Sequence, residues 1–217
     1  MKQTFSISEV VGASWVYLKQ QIWVLVGLFI GYTIITFLIG SFFPQTSMTM
    51  MVIANLITGI IGIFFMLGYY KNLFQTIDGL EPQFSAYGQQ APKFLTAFIA
   101  GLIVSIAISI GMLLLIVPGI YLALRLQFFT CFIVEENAGI MDSLKRSWAL
   151  TEGHAMKLFI LALVWLGLII LGVLLLVIGL FVTMPLIYMT YCNAFRLLNS
   201  PVAIADDDEM LPDVAVE

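Results

Sequence analysis

Charge is what this chain has least of. Only 10% of its 217 residues are Asp, Glu, Lys or Arg, while 61% are hydrophobic. Soluble domains carry roughly a quarter charged residues, so a water-soluble globule is excluded. Cysteine is nearly absent: Cys131 and Cys192 both fall in apolar runs, which leaves no disulfide framework and reads as two small buried hydrophobes. Histidine is limited to His154, with no second His or Cys at ligand spacing, so neither a metal site nor another cofactor site is expected. Segments of about ten alternating apolar and polar residues are missing, which argues against a β-barrel. No serine-hydrolase or phosphate-loop pattern occurs, and Gly59-Ile60-Ile61-Gly62 reads as packing within a span. An excess of positive charge is lacking too. The net charge of −4 comes from a tail holding Asp206, Asp207, Asp208, Glu209, Asp213 and Glu217; the remainder is slightly basic, and no nucleic-acid partner is expected.

What the chain does have is apolar runs of about 20 residues, the length that crosses a hydrocarbon core. They predict an all-α polytopic membrane protein with six transmembrane helices, at about 22–43, 50–70, 94–117, 120–134, 158–178 and 180–198. These would form three hairpins in one membrane domain, residues 1–199, followed by a disordered acidic cytoplasmic tail, 200–217. Short amphipathic helices are expected at the cytoplasmic interface. In the first, residues 5–19, Ile7, Val10, Val11, Ser14, Trp15 and Leu18 share one face, and Ser6 with Glu9 suggests a capping box. The second, residues 140–152, sets Ile140, Met141, Leu144 and Trp148 against Asp142, Lys145, Arg146 and Glu152, with Gly153 as its stop. In the third span Ala97, Gly101 and Ser105 form a small-residue stripe suited to close helix contact. Lys2 precedes an apolar run long enough to stay in the membrane, so no cleaved signal peptide is expected.

Placing the N-terminus inside puts Lys2, Lys19, Lys71, Lys93, Lys145, Arg146, Lys157 and Arg196 on one side and no cation in the outer connections. The positive-inside bias therefore predicts an inner-membrane protein with both termini cytoplasmic. Two stretches also repeat at equal spacing. Ile7-Ser8-Glu9 with Ser14-Trp15 matches Ile140-Met141-Asp142 with Ser147-Trp148, and Tyr70-Lys71-Asn72 matches Tyr191-Cys192-Asn193. They suggest a unit of interfacial helix plus hairpin.

Arg125 is the one charge within a predicted span. It stands about 9 Å, at helical rise, beyond a reversal read at Val117-Pro118-Gly119. No acid lies in a span to pair with it. Two readings stay open: a guanidinium fork for an anionic ligand such as a lipid phosphate, or an arginine that snorkels or bonds freed carbonyls. Lys145, Arg146 and Trp148 could add to an anionic headgroup site at the inner surface. Glu135 and Glu136 read as a solvated face beside Lys145 and Arg146, not as an acid–base pair.

The segment running from Val117-Pro118-Gly119-Ile120-Tyr121 through Arg125 and Ile133-Val134-Glu135-Glu136 to Ser143-Leu144-Lys145-Arg146-Ser147-Trp148 resembles a bacterial family of six-span inner-membrane proteins. That family is similar to the membrane domain preceding some glycerophosphodiester phosphodiesterase catalytic domains. The resemblance implies an inner-membrane protein and brings no catalytic residue, because the soluble domain with its metal-binding acids and histidines is missing from this sequence. The expected function is non-enzymatic: lipid binding, or a membrane scaffold for a protein partner or a second copy. The alternative is a small transporter or channel subunit, suggested by the repeat, Arg125 and Pro185 inside the last span.

Overall fold

The computed structural model describes residues 6–43, 47–175 and 178–200. The predicted disordered tail beyond Ser200, and Lys2, lie outside the described residues. Those described form helices with no strand: α1 Ile7–Gln20, α2 Ile22–Phe42, α3 Met48–Ile77, α4 Ser85–Gln90, α5 Phe94–Leu114, α6 Ile116–Leu126, α7 Phe129–Glu136, α8 Ile140–Leu150, α9 Ala155–Leu174 and α10 Leu180–Asn199. A 3₁₀ turn, Ala91–Lys93, joins α4 to α5. The protein is therefore an all-α membrane protein.

Five stretches are long and apolar enough to cross a membrane: Ile22–Phe42, Met48–Ile77, Ser85–Leu114, Ile116–Glu136 and Ala155–Leu174. The sixth expected span, α10, is a helix of 20 residues that falls outside this set. Its difference is physical. Thr190, Asn193 and Pro185 lie among neighbouring helices and are buried, so α10 need not be apolar all round.

Packing is concentrated at one end. Buried side chains come from the lower half of α3 (Leu67, Tyr69, Leu73, Phe74), from α7 (Cys131, Phe132, Ile133, Val134), from α10 (Met189, Cys192, Phe195) and from α1 (Val10, Leu18). Both cysteines are free thiols in that core. Phe74, Phe132 and Phe195 interlock edge to face, with centroids 5.8 and 4.9 Å from Phe195. In the two segments suggested as repeats the matched polar residues are all buried: Ser14, Ser147 and Asn72 fully, and Asn193 to 5% exposure. Asn193 Nδ2 donates to Val10 O and Ser14 Oγ, pinning α1 to α10.

Three local expectations are corrected. Ser6 is the N-cap of α1, but its hydroxyl pairs with Ser8 Oγ at 2.8 Å, and no capping box forms. The reversal before α6 sits at Leu115, the one extended residue between the helices. Pro118 and Gly119 are already in the first turn of α6. There the missing proline N–H removes a donor that would have no helical partner, and Gly119 approaches α5 so closely that an added Cβ would lie 2.7 Å from Met112 N. The stripe Ala97, Gly101 and Ser105 seats only a light contact, Gly101 against the Phe129 ring of α7. Otherwise it lines a cavity of about 560 Å³ together with residues of α2, α3, α7 and α10, among them Tyr32, Gly59, Gly62 and Tyr188.

Candidate functional site at the α6–α7 break

The span predicted at 120–134 is two helices, because Gln127 and Phe128 interrupt it. A break frees backbone groups that lipid cannot satisfy, so the protein must supply partners. It does so with hydroxyls. Ser147 Oγ of α8 accepts from Phe128 N at 3.1 Å and donates to Arg125 O at 3.0 Å. Thr151 Oγ1 donates to the same carbonyl at 3.1 Å. The Tyr191 hydroxyl of α10 donates to Gln127 O.

These contacts explain how α8 lies. Its buried face is Ser143, Leu144 and Ser147, whereas Met141, expected on the apolar side, is exposed. An apolar-periodicity reading assigns serines to the indifferent border of such a helix. Here both face inward: Ser147 completes the broken helix, and Ser143 donates to Ile140 O within α8.

Arg125 sits at this break and is only 4% exposed. Its guanidinium carbon lies 4.3 Å from the Trp148 ring centroid and 5.8 Å from that of Tyr121, both within cation–π range. The two rings meet edge to face at 6.0 Å. Among the described residues Arg125 has no ion pair, and its Nε is buried without a hydrogen-bond partner. A buried guanidinium with two aromatic faces and no carboxylate is a cation whose charge is not neutralised by the fold.

The other predicted site residues divide. Trp148 joins Arg125. Lys145, one turn before Trp148's neighbour Ala149, is exposed. Arg146 is turned away and occupied: it pairs with Glu136 at 2.6 Å and Asp142 at 2.9 Å. Asp142 first, then Glu136, hold its guanidinium above its ordinary pKa range, so it stays charged and committed to these carboxylates.

A second polar group was not singled out in the sequence. Arg196 bridges Asp78 at 2.9 Å and Glu135 at 2.8 Å, tying the end of α10 to the end of α3 and to α7. Asn199 donates to Glu136 at 2.6 Å, and Lys93 Nζ donates to Val134 O at 2.8 Å. Glu135 therefore belongs to an ion-pair group between helix ends, while Glu136 holds Arg146 and Asn199. Spacing could not reveal this, since the partners are 61 and 118 positions apart. No three His, Cys, Asp or Glu side chains converge on a possible metal position among the described residues.

Comparison with known proteins follows the same line. Residues 87–207, which hold the whole break, match the family described as a domain of unknown function (DUF7847). Over 162 residues the chain is 27% identical to the UPF0259 membrane protein of Pectobacterium carotovorum subsp. carotovorum (strain PC1). That likeness covers 74% of this chain and 64% of the relative, so the chain spans just under two thirds of that protein's length. No solved structure matches.

Proposed function

Since the chain belongs to the DUF7847 family, of unknown function, we propose that it is a non-enzymatic integral protein of the inner membrane that binds anionic phospholipid at the α6–α7 break. One observation carries this reading: the Arg125 guanidinium is buried between Trp148 and Tyr121 with no carboxylate beside it. A lipid phosphate would supply the missing charge, and a guanidinium is shaped to fork onto two of its oxygens. Trp148 is 38% exposed, so the ring that covers the buried Arg125 reaches the surface of the bundle, and the exposed Lys145 on the same short helix adds a point charge for the headgroup.

In this reading the six long helices enter the membrane as three hairpins with both termini in the cytoplasm. The support is the distribution of Lys19, Lys71, Lys93, Lys157 and Arg196 toward the packed end. Arg146 is dropped from the lipid site, because two carboxylates already hold it.

The test is native mass spectrometry of protein extracted gently with its lipids. Wild type is expected to retain an anionic phospholipid that Arg125→Ala loses and Arg125→Lys keeps in part. Equal lipid retention in all three would end the proposal. A specific turnover by the purified protein would end the non-enzymatic part.

A small transporter remains as the second reading, favoured by the cavity of about 560 Å³ behind Gly59, Gly62 and Gly101. Its lining is mostly apolar, with Tyr32, Ser105, Thr130 and Tyr188 as the residues bearing side-chain hydroxyls. Solute flux into liposomes bearing the purified protein would favour this reading over lipid binding alone.

A further inference from the structure

We propose that two of the three hairpins, α5–α6 and α9–α10, end inside the hydrocarbon, so that only α2–α3 reaches the far side of the membrane. This goes beyond the lipid-site reading and does not depend on it.

Reach can be compared because Tyr191 ties four helices at one level. Its ring lies 5.4 Å from that of Tyr70 in α3 and 6.1 Å from that of Trp165 in α9, and its hydroxyl bonds Gln127 O beyond α6. From that level, at 1.5 Å per residue, α3 continues for about 33 Å to Met48. On the same measure α10 continues about 17 Å to Leu180, α9 about 14 Å to Leu174, and α6 about 17 Å to Ile116. A hydrocarbon core is about 30 Å thick. Beyond that level the first hairpin therefore has the reach of a whole core, whereas α6, α9 and α10 have about half of it; the rest of their hairpins' length, including much of the 21-residue α5, lies on the other side of the Tyr191 level. A separate contact agrees: Phe181, in the first turn of α10, packs against Phe29 at 6.5 Å. From Phe29, α2 still runs about 20 Å to Phe42.

The level of Tyr191 is also where α3 leaves apolar sequence. Its residues are uncharged up to Tyr69-Tyr70, and Lys71 follows, the aromatic and cationic pattern of a membrane interface.

The tips have the chemistry that ending in lipid demands. The connection of α2 to α3 contains Gln45, Thr46 and Ser47. Between Gly111 and Tyr121, by contrast, no side chain is polar, and residues 113–117 are each at least 68% exposed. The other tip is alike: Leu174, Leu175 and Ile178 are exposed and apolar. Several backbone donors among the described residues of both tips are bonded internally, which lowers the cost of placing them in hydrocarbon. Leu115 N bonds Gly111 O and Leu175 N bonds Leu171 O, both at 3.1 Å; Phe181 N bonds Ile178 O at 3.1 Å; and Pro118 has no N–H to satisfy. Each turn closes glycine on glycine. A Cβ on Gly111 would lie 3.0 Å from Gly119 Cα, and one on Gly179 would lie 3.0 Å from Gly172 Cα.

Placing the two apolar tips at the far interface instead would carry the end of the first hairpin out of the membrane. Phe37, Phe42, Met48 and Leu56, all exposed, would then stand in water. The occupant of the space above the short hairpins is accordingly the acyl chains of the far leaflet.

The experiment uses the full chain in liposomes, with single introduced cysteines S47C, L115C and I178C in the native background, whose own thiols are buried. A membrane-impermeant maleimide is supplied on both faces by freeze–thaw, so sidedness does not matter. S47C is expected to label at least tenfold faster than L115C and I178C, which should react only after detergent is added. Wild type fixes the background, and a monodisperse elution profile shows that each variant is folded. Nitroxides at the same positions give a second measure: the two tips should meet oxygen in preference to a nickel chelate, and position 47 the reverse. Labelling of L115C and I178C at the rate of S47C would overturn the proposal. So would protection of all three, because the first hairpin would then not reach water either.

Discussion

Ser147→Ala tests the account of the α6–α7 break. The change removes one hydroxyl that serves two backbone groups. Phe128 N loses the acceptor 3.1 Å away, and Arg125 O loses one of its two donors. The two losses are unequal. Arg125 O keeps Thr151 Oγ1 at 3.1 Å, whereas Phe128 N has no replacement within the break. Leaving a buried donor unsatisfied costs about 1–3 kcal/mol. Side-chain bonds between helices within membranes measure nearer 0.6 kcal/mol on average, which pulls the expectation toward the lower half of that range. Ser147→Ala should thus destabilise the protein by about 1–2 kcal/mol, allowing for both terms. Thr151→Ala, which leaves Arg125 O with Ser147 Oγ and strands no backbone N–H, though it removes a donor from Trp148 O on the half-exposed side of α8, should cost about 0.5 kcal/mol. Reversible unfolding in mixed micelles, followed by far-ultraviolet circular dichroism, reads both. Equal effects, or a larger effect at Thr151, would show that Ser147 does not hold the break.

Two further substitutions probe the packing. Gly119→Ala places a Cβ 2.5 Å from Met112 Cγ and 2.7 Å from its backbone nitrogen, so the α5–α6 turn must open; the expected loss is about 1–3 kcal/mol, typical of overpacking. Gly27→Ala, where nothing lies within 4 Å, is the control and should stay within about 0.5 kcal/mol in the same unfolding measurement. Arg196→Gln removes the cation shared by Asp78 and Glu135; with the guanidinium about one third exposed, screening holds the effect to about 1 kcal/mol. Its signature is ionic: added salt should weaken wild type toward the variant, and an unchanged gap at high salt would count against the pairing.

The class of protein was legible from composition, since 10% charged against 61% hydrophobic residues, in runs of about 20, is far from the soluble average. The long helices were legible too, because their apolar runs have the length a membrane dictates. Three things were not. The last helix was expected as a sixth span; it is a helix of 20 residues, shielded by its neighbours, with buried polar residues that a hydropathy reading penalises. The break after Leu126 left no glycine or proline to mark it; its stability comes from Ser147, Thr151 and Tyr191, distant in sequence and individually unremarked. The ion pairs of Arg196 join helix ends that only the fold brings together. Arg125 stood out in the sequence because a charge inside a span is conspicuous, and Trp148 because it sits on the interfacial helix; that the two meet is set by the fold. Arg146 was grouped with them by proximity along one helix, where the angle about the helix axis decides which residues meet. Gly111, Gly119, Gly172 and Gly179 could have been noticed as two similar pairs flanking runs of leucine, and that signal would have pointed to the tight turns.

The most direct test of the lipid site uses the intrinsic fluorescence of Trp148, isolated by replacing Trp15, Trp23 and Trp165 with phenylalanine. The protein is reconstituted in bilayers in which either the anionic or the zwitterionic phospholipid carries brominated acyl chains. If Arg125 holds an anionic headgroup against Trp148, the brominated anionic lipid should quench more strongly at equal mole fraction, and Arg125→Ala should abolish the difference. Equal quenching by the two lipid classes in the Arg125 protein would contradict the account and leave Arg125 as a structural cation between two rings.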